Sequence, residues 1–292
     1  MIAIFRNSLA RFRGQILGWG LSLGLMAAFL TRFYDTIANQ KDNYLKLMTS
    51  YPKELLAFFA TSDVVQMFTP SGFLNLEYFS YMTLVVGIFA VLAGSGLLAG
   101  DEESGALDLV LAHPVSRTAL LAGRCLAFLA AMIAILALNW LGFILAVPGT
   151  GLHLTAGELA LPMLSLFGLL AIFGALSLLL SLLLPSQRVA AMTSGILLVA
   201  SYFVNALARM NKDLETLAKF SPFHYYQGGL AIDGMKWDVL AAMVGVSLLF
   251  AILAWWRFER RDIRVGGEGG WSIPVLSPRK RGRQNNRNPE AV

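Results

Sequence analysis

Residues 125–187 read CLAFLAAMIAILALNWLGFILAVPGTGLHLTAGELALPMLSLFGLLAIFGALSLLLSLLLPSQ, and Glu158 is the single charged side chain in the stretch. A helix needs about 20 consecutive apolar residues to cross the hydrocarbon core of a bilayer. This stretch supplies them twice. Pro148, Gly149 and Gly151 divide it after Val147, and Pro185 closes it; proline and glycine at such places end helices rather than continue them. Two membrane spans joined by a turn are expected. The rest of the chain has the same character: 57% of the 292 residues are hydrophobic, 14% are charged and the mean hydropathy is +0.63. Soluble domains carry about 25% charged residues. A chain of this size cannot hide so much apolar surface in water.

Searching for stretches of about 18 residues without Asp, Glu, Lys or Arg gives six runs: 14–31, 78–100, 125–157, 159–187, 189–208 and 239–256. The last is short, but ten of its residues are Val, Leu, Ile, Met or Phe. Together they contribute about −3 to −6 kcal/mol to insertion. With flanking residues, the spans are expected at about 14–34, 78–100, 120–147, 160–184, 189–208 and 239–257. The first is read as a retained helix, because its apolar part is too long for a signal peptide and no small-x-small cleavage site follows before Arg32. Six spans put both termini on one side. Of the 23 Lys and Arg, fifteen then fall on the side of the termini and eight on the other, so both termini are expected in the cytoplasm. Residues 1–264 are expected to form one all-α, polytopic, six-span domain, and 265–292 a basic, disordered cytoplasmic tail.

Several chemistries lack their residues. Cys125 is the only cysteine and is expected to be a packing residue; His113, His153 and His224 stand far apart, and no Gly-Lys dipeptide for a phosphate-binding loop exists. No Gly-x-Ser-x-Gly or acidic pair within a span points to a membrane enzyme. All 41 charged side chains fall outside the six runs, which argues against an ion-coupled secondary transporter. The polar groups inside them, Tyr81, Asn139, Tyr202 and Asn205, are the candidates for a translocation path. The Gly-x-x-x-Gly patterns at Gly14, Gly18, Gly20 and Gly24, and at Gly96–Gly100, are expected to serve helix contacts within the chain.

Between the spans lie amphipathic pieces. Ile2, Phe5, Leu9, Phe12 and Ile16 share a helical face away from Arg6 and Arg13, as in a helix lying in a membrane interface. The loop at 35–77 carries Tyr51-Pro52-Lys53-Glu54, read as the start of a short interfacial helix, and the apolar cluster Thr69-Pro70-Ser71-Gly72-Phe73-Leu74. The loop at 209–238 carries Ser221-Pro222-Phe223-His224-Tyr225-Tyr226-Gln227-Gly228-Gly229, a chain that dips into the interface and turns out again. The basic tail suits anionic membrane lipids rather than nucleic acid.

The loop at 101–124 is DEESGALDLVLAHPVSRTALLAGR. Asp101, Glu102 and Glu103 suit the positive end of a helix. Leu107, Val110 and Leu111 share a helical face. His113-Pro114 stops the helix, and Ser116 is a good N-cap for the third span. Such a helix either lies on headgroups or seats in a groove on a partner protein.

This loop resembles that of type-2 ATP-binding-cassette (ABC) permeases, at Glu102, Glu103, Gly105, Leu107, Leu109, Leu111, Pro114, Val115, Ser116 and Arg117. Ala106 stands where the family often has Thr, and Val110 where Leu is common. Thr69–Leu74 and Ser221–Tyr225 resemble two further signatures of the same family, so the similarity covers nearly the whole chain. The resemblance implies a coupling helix between spans 2 and 3 that docks on an ABC ATPase, and two permease subunits, identical or not, with two ATPase subunits. It implies a hydrophobic substrate such as a drug, antibiotic or lipid-linked polymer, exported across the plasma or inner membrane. ATP and magnesium would sit on the partner, and this chain would bind no cofactor. A non-transporting membrane scaffold is the remaining alternative.

Overall fold

The computed structural model describes residues 1–40, 68–107, 112 and 115–260. Among them every regular element is helical. The short helix α1 (Ile2–Arg11) is followed across Phe12 by α2 (Arg13–Ala38). Then come α3 (Pro70–Gly96), the short α4 (Ala99–Glu103), α5 (Arg117–Ala146), α6 (Ala156–Leu183) and α7 (Gln187–Ala208). Two short helices, α8 (Glu215–Ala218) and α9 (Pro222–Tyr225), precede α10 (Trp237–Arg260). Six of these, α2, α3, α5, α6, α7 and α10, are long and apolar enough to cross a membrane.

α6 is the centre. It is apolar all round, as a helix buried on every side must be, and 67% of its most apolar window is buried. It packs against α3, α5, α7 and α10. A capping box starts it, with Thr155 Oγ1 accepting from the Glu158 N–H and the Glu158 carboxylate accepting from the Thr155 N–H at 2.8 Å. α2 lies along α5, and α1 also packs on α5, its Ile4 against Gly123. α7 and α10 are peripheral and turn apolar rows outward, including Met192, Ile196, Leu249 and Ile252. In a bilayer such rows meet lipid or another subunit.

Small residues permit the closest approaches. A Cβ on Gly142 would run into the Gly24 backbone, and one on Gly94 into the Gly174 backbone. Gly20 and Gly24 both lie against Leu138. The glycine pattern of the first span is therefore used inside the chain at Gly20 and Gly24, whereas Gly14 and Gly18 face open space. Gly96 and Gly100 do not meet another helix backbone; they make room for the Gln187 side chain.

The second span starts earlier than its charge-free run implies. Thr69 is its N-cap, accepting from the Gly72 N–H at 3.1 Å, and Pro70 occupies the first turn. The helix then passes through a π-helical turn at Asn75–Phe79. Thr69–Leu74 is thus no loop, and Glu77 lies inside the span helix. Arg117 and Arg124 likewise lie within α5, Asp35 within α2 and Glu158 within α6. The helices run on past the charge-free runs at their ends, so they also carry Arg13 and Arg32 in α2, Arg188 in α7 and Asp238, Arg257, Glu259 and Arg260 in α10, while the runs themselves hold no charge. The stretch at 51–59 lies outside the described residues, as do residues 261–292.

Candidate functional site

The near side of the molecule, where both ends of the six-span bundle emerge, is organised around α4. Leu97 and Leu98 make a turn after α3, and α4 then carries three acidic residues in five positions. Asp101 accepts from Arg11 Nη1 at 2.9 and 3.0 Å and pairs with Arg124 Nη2. Arg124 is 6% exposed and also donates to the Leu97 carbonyl. A buried guanidinium is costly unless paired and hydrogen-bonded, and Arg124 has both. One carboxylate thus ties together α1, the connection after the second span and the third span. Glu103 reaches elsewhere: its Oε1 accepts the backbone N–H of Gln187 at the start of α7. A carboxylate suits that position, the positive end of a helix dipole.

α4 ends at Ser104, and Gly105 follows at φ +71°, a left-handed conformation that suits glycine. Glu102 is buried, and Leu107 is 1% exposed within the main core. Leu107 therefore anchors the loop to its own subunit. Leu109, Val110, Leu111 and Pro114 lie outside the described residues. Ala112 is exposed and Val115 half-buried. Ser116 caps α5, accepting from the Ala119 N–H at 3.2 Å.

Arg117 turns inward. It donates to the carbonyls of Phe258 at 3.2 Å and Glu259 at 3.4 Å, with its guanidinium 6.0 Å from the centre of the Phe258 ring. Cations are favourable at helix C-termini, and Arg117 thereby fastens the start of the third span to the end of the sixth. Thr118 adds a bond to the Glu259 carboxylate, and Trp255 Nε1 donates to Thr118 Oγ1 at 3.3 Å.

At the far side the two outer signatures meet. Gly229 N–H donates to Asn75 Oδ1 at 3.1 Å, and a Cβ at Gly229 would collide with the Asn75 and Ser71 backbone. Gly228 sits at φ +54°. Gln227 N–H donates to Ser165 Oγ at 3.0 Å, and Ser221 Oγ donates to the Ser201 carbonyl at 2.8 Å. The segment at 221–232 is thus clamped onto the first turns of the second span. Beside it opens a cleft of about 150 Å³ that includes Asn75, Tyr202, Asn205, Arg209, Tyr226 and Gln227. Burial holds the Tyr226 phenol above its ordinary value, so it stays protonated.

The four translocation-path candidates are not brought together. Tyr202 and Asn205 line the far-side cleft. Asn139, in the third span, is fully buried against the first, second and fourth: its Oδ1 accepts from Tyr78 Oη at 2.7 Å, and its amide nitrogen stands 3.6 Å from Met163 Sδ. It belongs to the packed core. Tyr81 is 37% exposed and bonds to the Glu77 carbonyl of its own helix. Arg11, Asp101, Arg124 and Gln187 were not picked out by the sequence as a cluster; only Asp101, in the acidic run at 101–103, drew notice. Among the described residues no group of three His, Cys, Asp or Glu is placed to hold a metal.

Residues 2–263 match the family described as ABC-2 family transporter protein. The chain belongs to the ABC-2 transporter family. No curated protein matches it. As an ABC-2 permease it is the membrane subunit of an ABC transporter and works with an ATPase partner. The near-side junction and the far-side cleft lie at opposite ends of the same helices.

Proposed function

We propose that the chain is one half of an exporter for a hydrophobic or amphipathic compound, a drug, antibiotic or lipid-like molecule. Two copies, or this chain and a similar one, pair with two cytoplasmic ATPase subunits, which bind all the ATP and magnesium. The membrane is the plasma or inner membrane, and both termini are cytoplasmic. The loop at 101–117 is the coupling element. Leu109, Val110, Leu111 and the turn at Pro114, Val115 and Ser116 dock on the ATPase, and Glu102, Glu103, Leu107 and Arg117 hold the loop to the spans.

The observation that carries this reading is the wiring of α4. Asp101 holds α1 and α5, Glu103 holds the N-terminus of α7, and Arg117 joins α5 to α10. A displacement of this loop is delivered to four elements at once. α7 has 22 residues and is therefore about 33 Å long. Its near end is held by Glu103, and its far end carries Tyr202 and Asn205 into the cleft. Few of its residues are buried, so little packing restrains it from tilting. Leverage at Glu103 then becomes a change of shape at the cleft.

The test is reconstitution with the partner ATPase. Leu109→Asp and Leu111→Asp are expected to abolish co-purification of the ATPase while the permease still inserts. Glu103→Gln is expected to keep the ATPase bound but lower substrate-stimulated hydrolysis several-fold. If both aspartate variants retain the ATPase at wild-type stoichiometry, the loop is not the docking element.

A further inference from the structure

A second cleft, about 220 Å³, opens on the near side between α1, the end of α3, α5 and the start of α7. Its polar walls are Ser8, Arg11, Gln15, Arg124 and Gln187. This volume is far above the ~10–15 Å³ that a single water needs. Gln187 reaches the cleft because Gly96 lacks a side chain; a Cβ there would stand 3.0 Å from Gln187 Nε2. Two guanidinium groups face the cleft and share one carboxylate, that of Asp101, so the group of three carries a net positive charge. Each guanidinium has five N–H donors in a planar fork, more than Asp101 and the Leu97 carbonyl take up. Such forks match phosphate oxygens in pairs.

We propose that this cleft binds the phosphate of an anionic phospholipid from the leaflet on the side of the termini. A lipid source, rather than free phosphate, fits the remaining walls. Phe12, Leu92 and Leu97 continue the cleft as an apolar surface, where an acyl chain meets hydrocarbon while its headgroup meets the arginines. The amphipathic α1, with Ile2 76% exposed, lies alongside and suits the headgroup level of a membrane. The bound phosphate supplies a second anion to the Arg11–Asp101–Arg124 cluster and so braces the junction that α4 organises. The site stands independently of the coupling role proposed above, since its readout is lipid and not ATP hydrolysis.

The test is native mass spectrometry of the full chain taken from nanodiscs of phosphatidylglycerol and phosphatidylcholine in equal amounts. The wild type is expected to retain phosphatidylglycerol preferentially. Arg11→Gln should lower that retention about fivefold, whereas Arg6→Gln, which lies outside the cleft, should leave it within twofold. Asp101→Asn should raise it, because both arginines then turn to the phosphate. The opposite signs separate an anion site from a purely structural ion-pair network, in which Arg11→Gln and Asp101→Asn would act alike. Gln15→Leu, which leaves the ion pairs intact, is expected to lower retention too and guards against misfolding of the charge variants. Equal losses in Arg11→Gln and Arg6→Gln, or a fall in Asp101→Asn, would overturn the proposal. Complete displacement of the lipid by millimolar inorganic phosphate would overturn the lipid source.

Discussion

Asn139 and Asn205 are the same residue type in two spans, and their surroundings give them different work. Asn139 is sealed in the core, where Tyr78 satisfies its carbonyl. Tyr78→Phe removes that donor and leaves a buried acceptor unpaired, a cost of about 1–3 kcal/mol. A lower melting temperature in detergent with unchanged substrate-stimulated ATP hydrolysis is expected. Asn205 and Tyr202 line an open cleft; Asn205→Ala should leave melting unchanged and shift the substrate concentration for half-maximal stimulation. Arg117 presents a third case. Its bonds go to the end of the sixth span, so Arg117→Ala should leave expression and ATPase association intact and reduce stimulated hydrolysis several-fold. Unchanged stimulation would mean that the joint between the third and sixth spans carries no coupling. Spacing alone did not separate these roles. All four polar candidates lay inside apolar runs, and which of them is sealed depends on neighbours from distant spans, Tyr78 and Met163 for Asn139.

At the scale of elements, contact between spans depends on where the glycines fall. Gly142 touches the backbone of Gly24, and backbone cannot move aside as a side chain can. Gly142→Leu should cost more than the usual 1–3 kcal/mol of overpacking and remove folded protein from detergent extracts. Gly18→Ala, facing open space, should be neutral by the same measure. The six spans were legible because hydrophobic length is the dominant signal in a bilayer. The helix of the second span begins before its charge-free run, which Glu77 ended, and Thr69-Pro70 is the N-cap and first-turn pair that marks its start. The acidic residues at 101–103 were visible as a helix-end cluster. Their partners were not, because Arg11 and Gln187 are roughly 90 residues away on either side and no local pattern joins them.

For the whole molecule, the spans are proposed to act as a set of levers worked from one end. Asp101, Glu103 and Arg117 gather α1, α5, α7 and α10 at the near side, and in the proposed mechanism α7 carries motion about 33 Å to the cleft at the far side. No charged side chain of the described residues needs to cross the membrane for this, and the energy comes from the partner. The central claim is that the ATPase meets the loop between the second and third spans. Ala112 is exposed in that loop, and Cys125 is the only cysteine, so Cys125→Ser gives a cysteine-free background that should retain transport. In that background, Ala112→Cys should form a short-range crosslink to the ATPase in native membranes, with a yield that changes on adding ATP. Asp233→Cys, exposed on the far side, should form none. A crosslink from Asp233→Cys and none from Ala112→Cys would contradict both the coupling role of the loop and the orientation of the chain.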